Sequence, residues 1–353
     1  MKKYIISPEL NWYRANMHCH TTVSDGNFTP EKIKEVYKDM GYSIVAYSDH
    51  ELIRDHSDLS DESFLAITAS EFSIDDTKPS FDMPSEENGE NVWCARKVMH
   101  LGVYAKSPHN TFHPATDNTL FDMWWRAQGR EIGEISCDDF HREYTRDSIN
   151  EMVKRLNEKG FLVSLNHPSW SLNDMDDYLN VEGLWALEIL NYATERLTGS
   201  EYCPYIYDHM IRSGKNRNLF CIMGDDNHNP DGSVRDSFGG STFIGSKGLE
   251  YSQVINALEN GNFYCASGKN PPMIYALYVE DNMLKIDCSP STDIFVTGLG
   301  RSYCHYATEN EEITHAEFKL ESKDHMFRVT VRDKYGNNAH THYYKVEDYI
   351  TRS

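Results

Sequence analysis

Short apolar runs that each close on an imidazole or a carboxylate recur through the first two thirds of the chain. Ser43-Ile44-Val45-Ala46-Tyr47 leads into Asp49-His50, and residues 64–69 lead into Glu71. Phe161-Leu162-Val163-Ser164-Leu165 ends in Asn166-His167-Pro168, and Leu219-Phe220-Cys221-Ile222-Met223 ends in Gly224-Asp225-Asp226-Asn227-His228. Residues 98–104, starting at Val98 and holding His100, and residues 184–190 are runs of the same kind. Continuous apolar character marks strands buried on both faces. Helical spacings lie between the runs. Ile33, Val36, Tyr37 and Met40 follow Thr29-Pro30 and precede Gly41, and Ile149, Met152, Val153 and Leu156 precede Gly160. Residues 202–211 stop at Gly214, and Val254, Ile255 and Leu258 stop at Gly261. Thr29 suits a helix cap and Pro30 the first helical position. Strand and helix in alternation predict a parallel α/β sheet. About seven strands predict a closed or nearly closed barrel with its chemistry at the C-terminal strand ends.

The first such end is Asn16-Met17-His18-Cys19-His20, with Asp25-Gly26 shortly after. Residues two apart on an extended chain share a face, so His18 and His20 reach one ion while Cys19 points into the core as a buried thiol. Taken alone, the pair is equally well two polar residues on a solvated strand face.

Beyond Pro272 the pattern changes to short strands separated by turn residues such as Glu280-Asp281-Asn282 and Lys334-Tyr335-Gly336-Asn337-Asn338. This predicts a small antiparallel β-sandwich. The expected division is therefore 1–270 for the α/β unit, with insertions near 75–97 and 106–147, and 271–353 for the β-rich unit.

A net charge of -21 and a sequence pI of about 5.1 argue against binding long duplex nucleic acid, which needs many Lys and Arg contacts to phosphate. Small phosphorylated partners stay open, because bound cations supply local positive charge. Eight scattered cysteines without a Cys-x-x-Cys pair suggest free thiols in a reducing cytoplasm. The N-terminus carries no long apolar run, so neither a signal peptide nor a membrane span is expected. The oligomeric state is not legible.

Four segments together resemble the PHP (polymerase and histidinol phosphatase) family. They are His18-Cys19-His20-Thr21 with Ser24-Asp25-Gly26, Ser48-Asp49-His50, Asn166-His167-Pro168, and Asp226-Asn227-His228. The likeness spans roughly residues 16–268 and is closest to the stand-alone phosphoesterase group. It implies a distorted (β/α)7 barrel holding two or three divalent metal ions (Mn, Fe or Zn). It also implies the ligand sets: His18, His20, Glu71 and Asp226 for one ion; Glu71, His100 and His167 for a second; Asp25, His50 and His228 for a third. The third motif departs by Asn166, and the fourth by an additional Asp225 before Asp226.

What the resemblance implies is a metal-dependent phosphoesterase that hydrolyses a small phosphorylated metabolite or nucleotide by attack of a metal-bound hydroxide on phosphorus. Asp226 or His228 is the candidate proton shuttle, and Asp49 a candidate to orient a liganding histidine. Arg235 is a candidate to grip phosphate bidentately, or else a surface arginine paired with Asp231 or Asp236. A narrower alternative is a histidinol-phosphate phosphatase. An alternative of another class is a non-catalytic metal-binding module with a ligand-binding β-sandwich, and a third is hydrolysis of a non-phosphate ester or amide. His340-Thr341-His342 reads as a solvated strand face, and His109, His113 and His141 as surface residues. Trp124-Trp125 reads as a small apolar cluster under a loop or a stacking platform.

Overall fold

The computed structural model describes residues 2–79, 95–121, 125, 135–300, 302–307 and 311–350. The strands of the first half are β1 (Lys3–Ile6), β2 (Asn11–Asn16), β3 (Ile44–Tyr47), β4 (Leu65–Pro79), β5 (Arg96–Ala105), β6 (His113–Thr116), β7 (Cys137–Asp139), β8 (Phe161–Leu165), β9 (Ala186–Asn191) and β10 (Phe220–Gly224). Those of the second half are β11 (Gly240–Ser246), β12 (Phe263–Ser267), β13 (Ile274–Glu280), β14 (Met283–Ser291), β15 (Asp293–Gly298), β16 (Ser302–Tyr306), β17 (Ile313–Lys319), β18 (Met326–Arg332), β19 (Asn338–His340) and β20 (Tyr344–Lys345). The helices are α1 (Pro30–Asp39), α2 (Asn118–Phe121), α3 (Arg146–Glu158), α4 (Met175–Tyr178), α5 (Tyr192–Thr198), α6 (Pro204–Arg212) and α7 (Tyr251–Glu259).

Local chemistry sets the helix ends. The Thr29 side chain accepts from Lys32 N–H at the start of α1 with Pro30 inside it, and Thr145 does the same for α3 through Ser148 N–H. Gly41 and Gly160, both at positive φ, end the two turns that follow.

One sheet runs β10-β9-β8-β5-β4-β3-β2-β11-β12-β19-β18-β15-β16, with β20 on β18. Within this sheet, among the described residues, only β2-β3-β4 and β8-β9-β10 pair in parallel, while β5 runs antiparallel to both β4 and β8. β11 is likewise antiparallel to β2. The architecture is mixed α/β, and among the described residues no paired strands close the expected barrel; the segments after β2 and β10 pair only in an isolated parallel bridge between Cys19 and Asn227. The sheet instead brings β10 against β11 through one hydroxyl: Thr242 Oγ1 accepts from Met223 N–H (3.3 Å) and donates to Met223 C=O (3.1 Å). A run of apolar residues reports burial on both faces and says nothing of strand direction, which is why β5 read as one more parallel strand.

The sheet also crosses the expected division at 270, since β12 pairs with β19. β1, from the N-terminus, pairs with β13 in a second, four-stranded antiparallel sheet ordered β1-β13-β14-β17. Ile6, Leu277, Leu284 and Ile286 from that layer meet Val296, Val329 and Val331 from the large sheet in one buried core.

Two expectations about histidines are corrected. His340 and His342 are buried rather than solvated, because β19, which carries His340, lies between β12 and β18, and His342 packs against the rings of Phe220, Phe263 and Tyr344. His340 Nδ1 lies 2.9 Å from Thr330 Oγ1, and its Nε2 meets the Tyr202 hydroxyl. His113 is buried too and accepts from Ile53 N–H (2.9 Å), whereas His109 and His141 are exposed. Trp125 packs with Leu52 and Phe121; Trp124 lies outside the described residues. No helix among the described residues is long and apolar enough to cross a membrane.

Candidate metal centre

The segment that follows β2 is pinned before it reaches the centre. Cys19 bridges in parallel to Asn227, and Asp226 N–H donates to His18 C=O (2.8 Å). Asp49 accepts from Thr21 N–H (2.8 Å), Thr21 Oγ1 (2.9 Å), Ser24 N–H (3.0 Å) and Ser24 Oγ (2.7 Å). It therefore shapes the turn carrying Asp25 and does not itself touch an imidazole, contrary to the sequence expectation. Gly26 closes that turn against the backbone of His20, where an added Cβ would stand 2.6 Å from the carbonyl carbon.

All nine sequence-predicted ligand residues converge. His18 Nε2 lies 3.2 Å from His20 Nε2, from Glu71 Oε1 and from Asp226 Oδ1. His167 Nε2 and His100 Nδ1 lie 3.1 and 3.3 Å from the two Glu71 oxygens. His228 Nε2 and His50 Nε2 lie 3.3 and 3.7 Å from Asp25 Oδ2. Three donor groups result: His18, His20, Glu71 and Asp226; Glu71, His100 and His167; and His20, Asp25, His50 and His228. Glu71 and His20 are shared between groups. Cys19 is fully buried in the core beneath them.

Nitrogen and carboxylate oxygen in this mixture are the donors of first-row divalent ions. Two observations fit such ions here. Asp226 Oδ1 and His100 Nδ1 are buried without a hydrogen bond, although Asp226 Oδ1 stands only 2.9 Å from His20 Nε2. Donor atoms that converge without satisfying one another are what a shared cation resolves. Asp226 and His167 also sit at positive φ (53° and 26°), a conformation costing about 1–3 kcal/mol each and characteristic of sites held in shape by their surroundings.

The electrostatics show what stands in for cations. Burial pulls the His20 pKa down, but Asp226 and Glu71 outweigh it and hold it up at about 10. Burial is similarly outweighed at His167, which Glu71 holds at about 9. Burial and the neighbouring His20 push His50 down to about 3. Burial opposes ionisation of Glu71, yet His100 and His18 keep its carboxyl well below the usual range. His18 and His20 do the same for Asp226.

A second ring of residues orients the first. Glu188, fully buried on β9, places Oε1 3.1 Å from His18 Nδ1, and its Oε2 accepts from His167 N–H (3.1 Å) and Asn191 Nδ2 (3.0 Å). Asn191 also donates to Asp226 Oδ2 (3.0 Å), Asn166 to Glu71 Oε1 (2.9 Å), and Ser171 Oγ meets His167 Nδ1 (3.0 Å). The sequence reading missed Glu188. A carboxylate inside an otherwise apolar run was the available signal, since a buried strand tolerates one only when it is fully partnered.

Of the adjacent aspartates in the fourth motif, Asp226 faces the cluster. Asp225 instead accepts from the N–H groups of Phe238, Gly239 and Gly240 and from the Tyr37 hydroxyl. Arg235 is corrected: its side chain is 61% exposed, pairs with Asp231 at 3.5 Å, and does not line the site.

A cavity of about 420 Å³ opens above the cluster. Arg96, Val98 and His100 of β5 line it, as do Trp170, Thr194 and Leu197.

No family model matches the sequence, and no curated protein matches it. Among the solved structures that resemble the chain are the following two. One is a two-domain protein from Bacteroides vulgatus containing a predicted PHP-like metal-dependent phosphoesterase, 13% identical, covering 93% of this chain and 92% of that one, with a TM-score of 0.41. The other is a candidate metal-dependent phosphoesterase from Bifidobacterium adolescentis, 15% identical, covering 61% of this chain and 87% of that one, with a TM-score of 0.34. Likenesses this shallow carry no functional argument; the side chains of the centre do.

Proposed function

We propose that this chain is a metal-dependent phosphoesterase of the PHP type, hydrolysing a small phosphorylated metabolite or nucleotide with two or three divalent ions (Mn, Fe or Zn). The observation that carries this reading is the convergence of six imidazoles and three carboxylates, all but His18 and His20 lining one cavity, with Glu71 and His20 shared between donor groups. When bound, such ions neutralise phosphoryl oxygens and make water acidic enough to attack near neutral pH.

The chain's own residues do the rest. Glu71 and Asp226, held ionised by the surrounding histidines, supply the negative charge that gathers the ions. Glu188, Asn166 and Asn191 fix the angles of His18, Glu71 and Asp226, so the donors need no rearrangement. His228 at the rim keeps Nδ1 on the Asp226 carbonyl (2.9 Å) and turns Nε2 towards Asp25; with two ions bound and its own donor group free it can take or give a proton there, and with a third ion it would be a ligand instead. The buried, unpaired thiols support a reducing cytoplasmic setting.

The test is metal analysis with a substrate panel. Wild type is expected to retain metal and to release phosphate from monoesters with Mn, Fe or Zn, and His18→Ala with His20→Ala to lose both properties. A metal-loaded protein inert to every phosphate ester yet active on carboxylic esters or amides would overturn the proposal.

A further inference from the structure

β4 and β5 continue outward past the metal centre as a two-stranded ribbon. Their register pairs Glu71 with Gly102 at the cluster, then Ser73 with His100, then Asp75 with Val98, and finally Pro79 with Arg96. Side chains two apart share a face, so Arg96, Val98 and His100 line the same wall of the cavity. At 3.3 Å per residue, the Cα of Arg96 stands about 13 Å along the ribbon from that of His100.

Arg96 is half-buried, and its Nε is buried with no hydrogen-bond partner. Among the described residues it has no carboxylate within ion-pair distance; Asp75, which lines the same cavity, feels its charge only from farther away. Its neighbour Lys97 differs: Nζ is held at 2.7 Å by both Asp174 and Asp177. A buried guanidinium donor left unmatched in a cavity wall is costly, and it calls for an acceptor brought by something else. Guanidinium geometry suits a carboxylate or phosphate. The cavity is also lined by Trp170, whose ring lies 5.8 Å from that of His100, and by Leu197, which suit an apolar body between two charged ends.

We propose that Arg96 binds a second anionic group of the substrate, at the end remote from the ester that is cleaved. Resting on the phosphoesterase reading, this narrows the substrate to phosphate monoesters carrying a further carboxylate or phosphate across a short apolar or ring-bearing spacer. Arg96 is thus a specificity residue for that distal charge, and it takes no part in the hydrolysis.

The test compares phenyl phosphate with its 4-carboxymethyl derivative, using metal-loaded wild type, Arg96→Gln and Arg96→Lys. Wild type is expected to favour the carboxylated ester in kcat/KM by about tenfold or more, as a charged hydrogen bond warrants. The ratio should fall to about one in Arg96→Gln and recover partly in Arg96→Lys. A ratio that Arg96→Gln leaves unchanged, or a wild type without preference, overturns the proposal. Calorimetric binding of the uncleavable 4-carboxymethylphenyl phosphonate, with phenylphosphonate as reference, reads the subsite without turnover. Arg96-dependent tighter binding in a protein that cleaves neither ester upholds the subsite and sinks only the enzyme reading. Equal binding of both phosphonates sinks the subsite. Parallel assays with 4-phosphonomethylphenyl phosphate show whether phosphate or carboxylate is the preferred distal group.

Discussion

Glu188 Oε1 lies 3.1 Å from His18 Nδ1, on the side of the imidazole turned away from the cluster. A carboxylate there fixes which nitrogen faces the metal and raises the basicity of that nitrogen. The same carboxylate accepts from the His167 backbone N–H, so one buried side chain positions ligands of two donor groups.

Glu188→Gln keeps the volume and removes the charge. Metal affinity is expected to fall about 10- to 100-fold. Competition with a chromogenic chelator measures it, and a melting curve of the metal-free variant separates the effect from unfolding. An unchanged affinity would dismiss the positioning role.

Metal uptake should release protons. In the metal-free protein His20 and His167 titrate near 10 and 9, so both are charged at pH 8, whereas coordination needs them neutral. Their folded pKa values are raised above the usual 6.5, so their stabilisation is complete below pH 6.5 and is lost as pH climbs through 9 to 10. Melting temperatures with and without metal should therefore diverge as pH rises from 6.5 to 10. Calorimetry in buffers of different ionisation enthalpy should show protons released at pH 8 from His20 and His167, and from His18 as well, where burial is outweighed by Asp226 and Glu71 and the pKa stands well above the usual value.

Arg142 anchors the 106–147 insertion to the centre. Its Nη1 donates to Glu51 Oε1 (2.7 Å) and to Ser73 C=O (2.7 Å), and both charged side chains are buried. Arg142→Met strands the Glu51 charge and should cost about 3–5 kcal/mol in denaturant unfolding. Adding Glu51→Gln should recover part of that loss. Equal loss in the single and double variants would show that the charge is not the cause. Because Glu51 follows His50 directly, the single variant should also weaken metal retention.

Arg235→Ala should leave hydrolysis unchanged and shift stability by no more than about 0.5 kcal/mol, because the side chain is exposed and its pairing with Asp231 is a surface contact. A large drop in phosphate release would restore Arg235 to the site.

The donors themselves were legible from the chain alone. His18 and His20 share a strand face by spacing, and His50, Glu71, His167, Asp226 and His228 stand where apolar runs end. Those are local properties, fixed by the alternation of an extended backbone and by the need of a buried strand to emerge at a polar residue. The resemblance of four such segments to one family is what implied that they are ligands. Long-range contact decided everything else. The direction of β5, the pairing of β1 with β13, the burial of His340 between β12 and β18 and of His342 against Phe220, the turn-shaping role of Asp49 and the service of Glu188 to His18 each depend on a neighbour far away in sequence. Apolar periodicity tells a residue that it will be buried; only the folded chain supplies the group that meets it there, and so only the fold turns a buried carboxylate or histidine from a cost into part of the site.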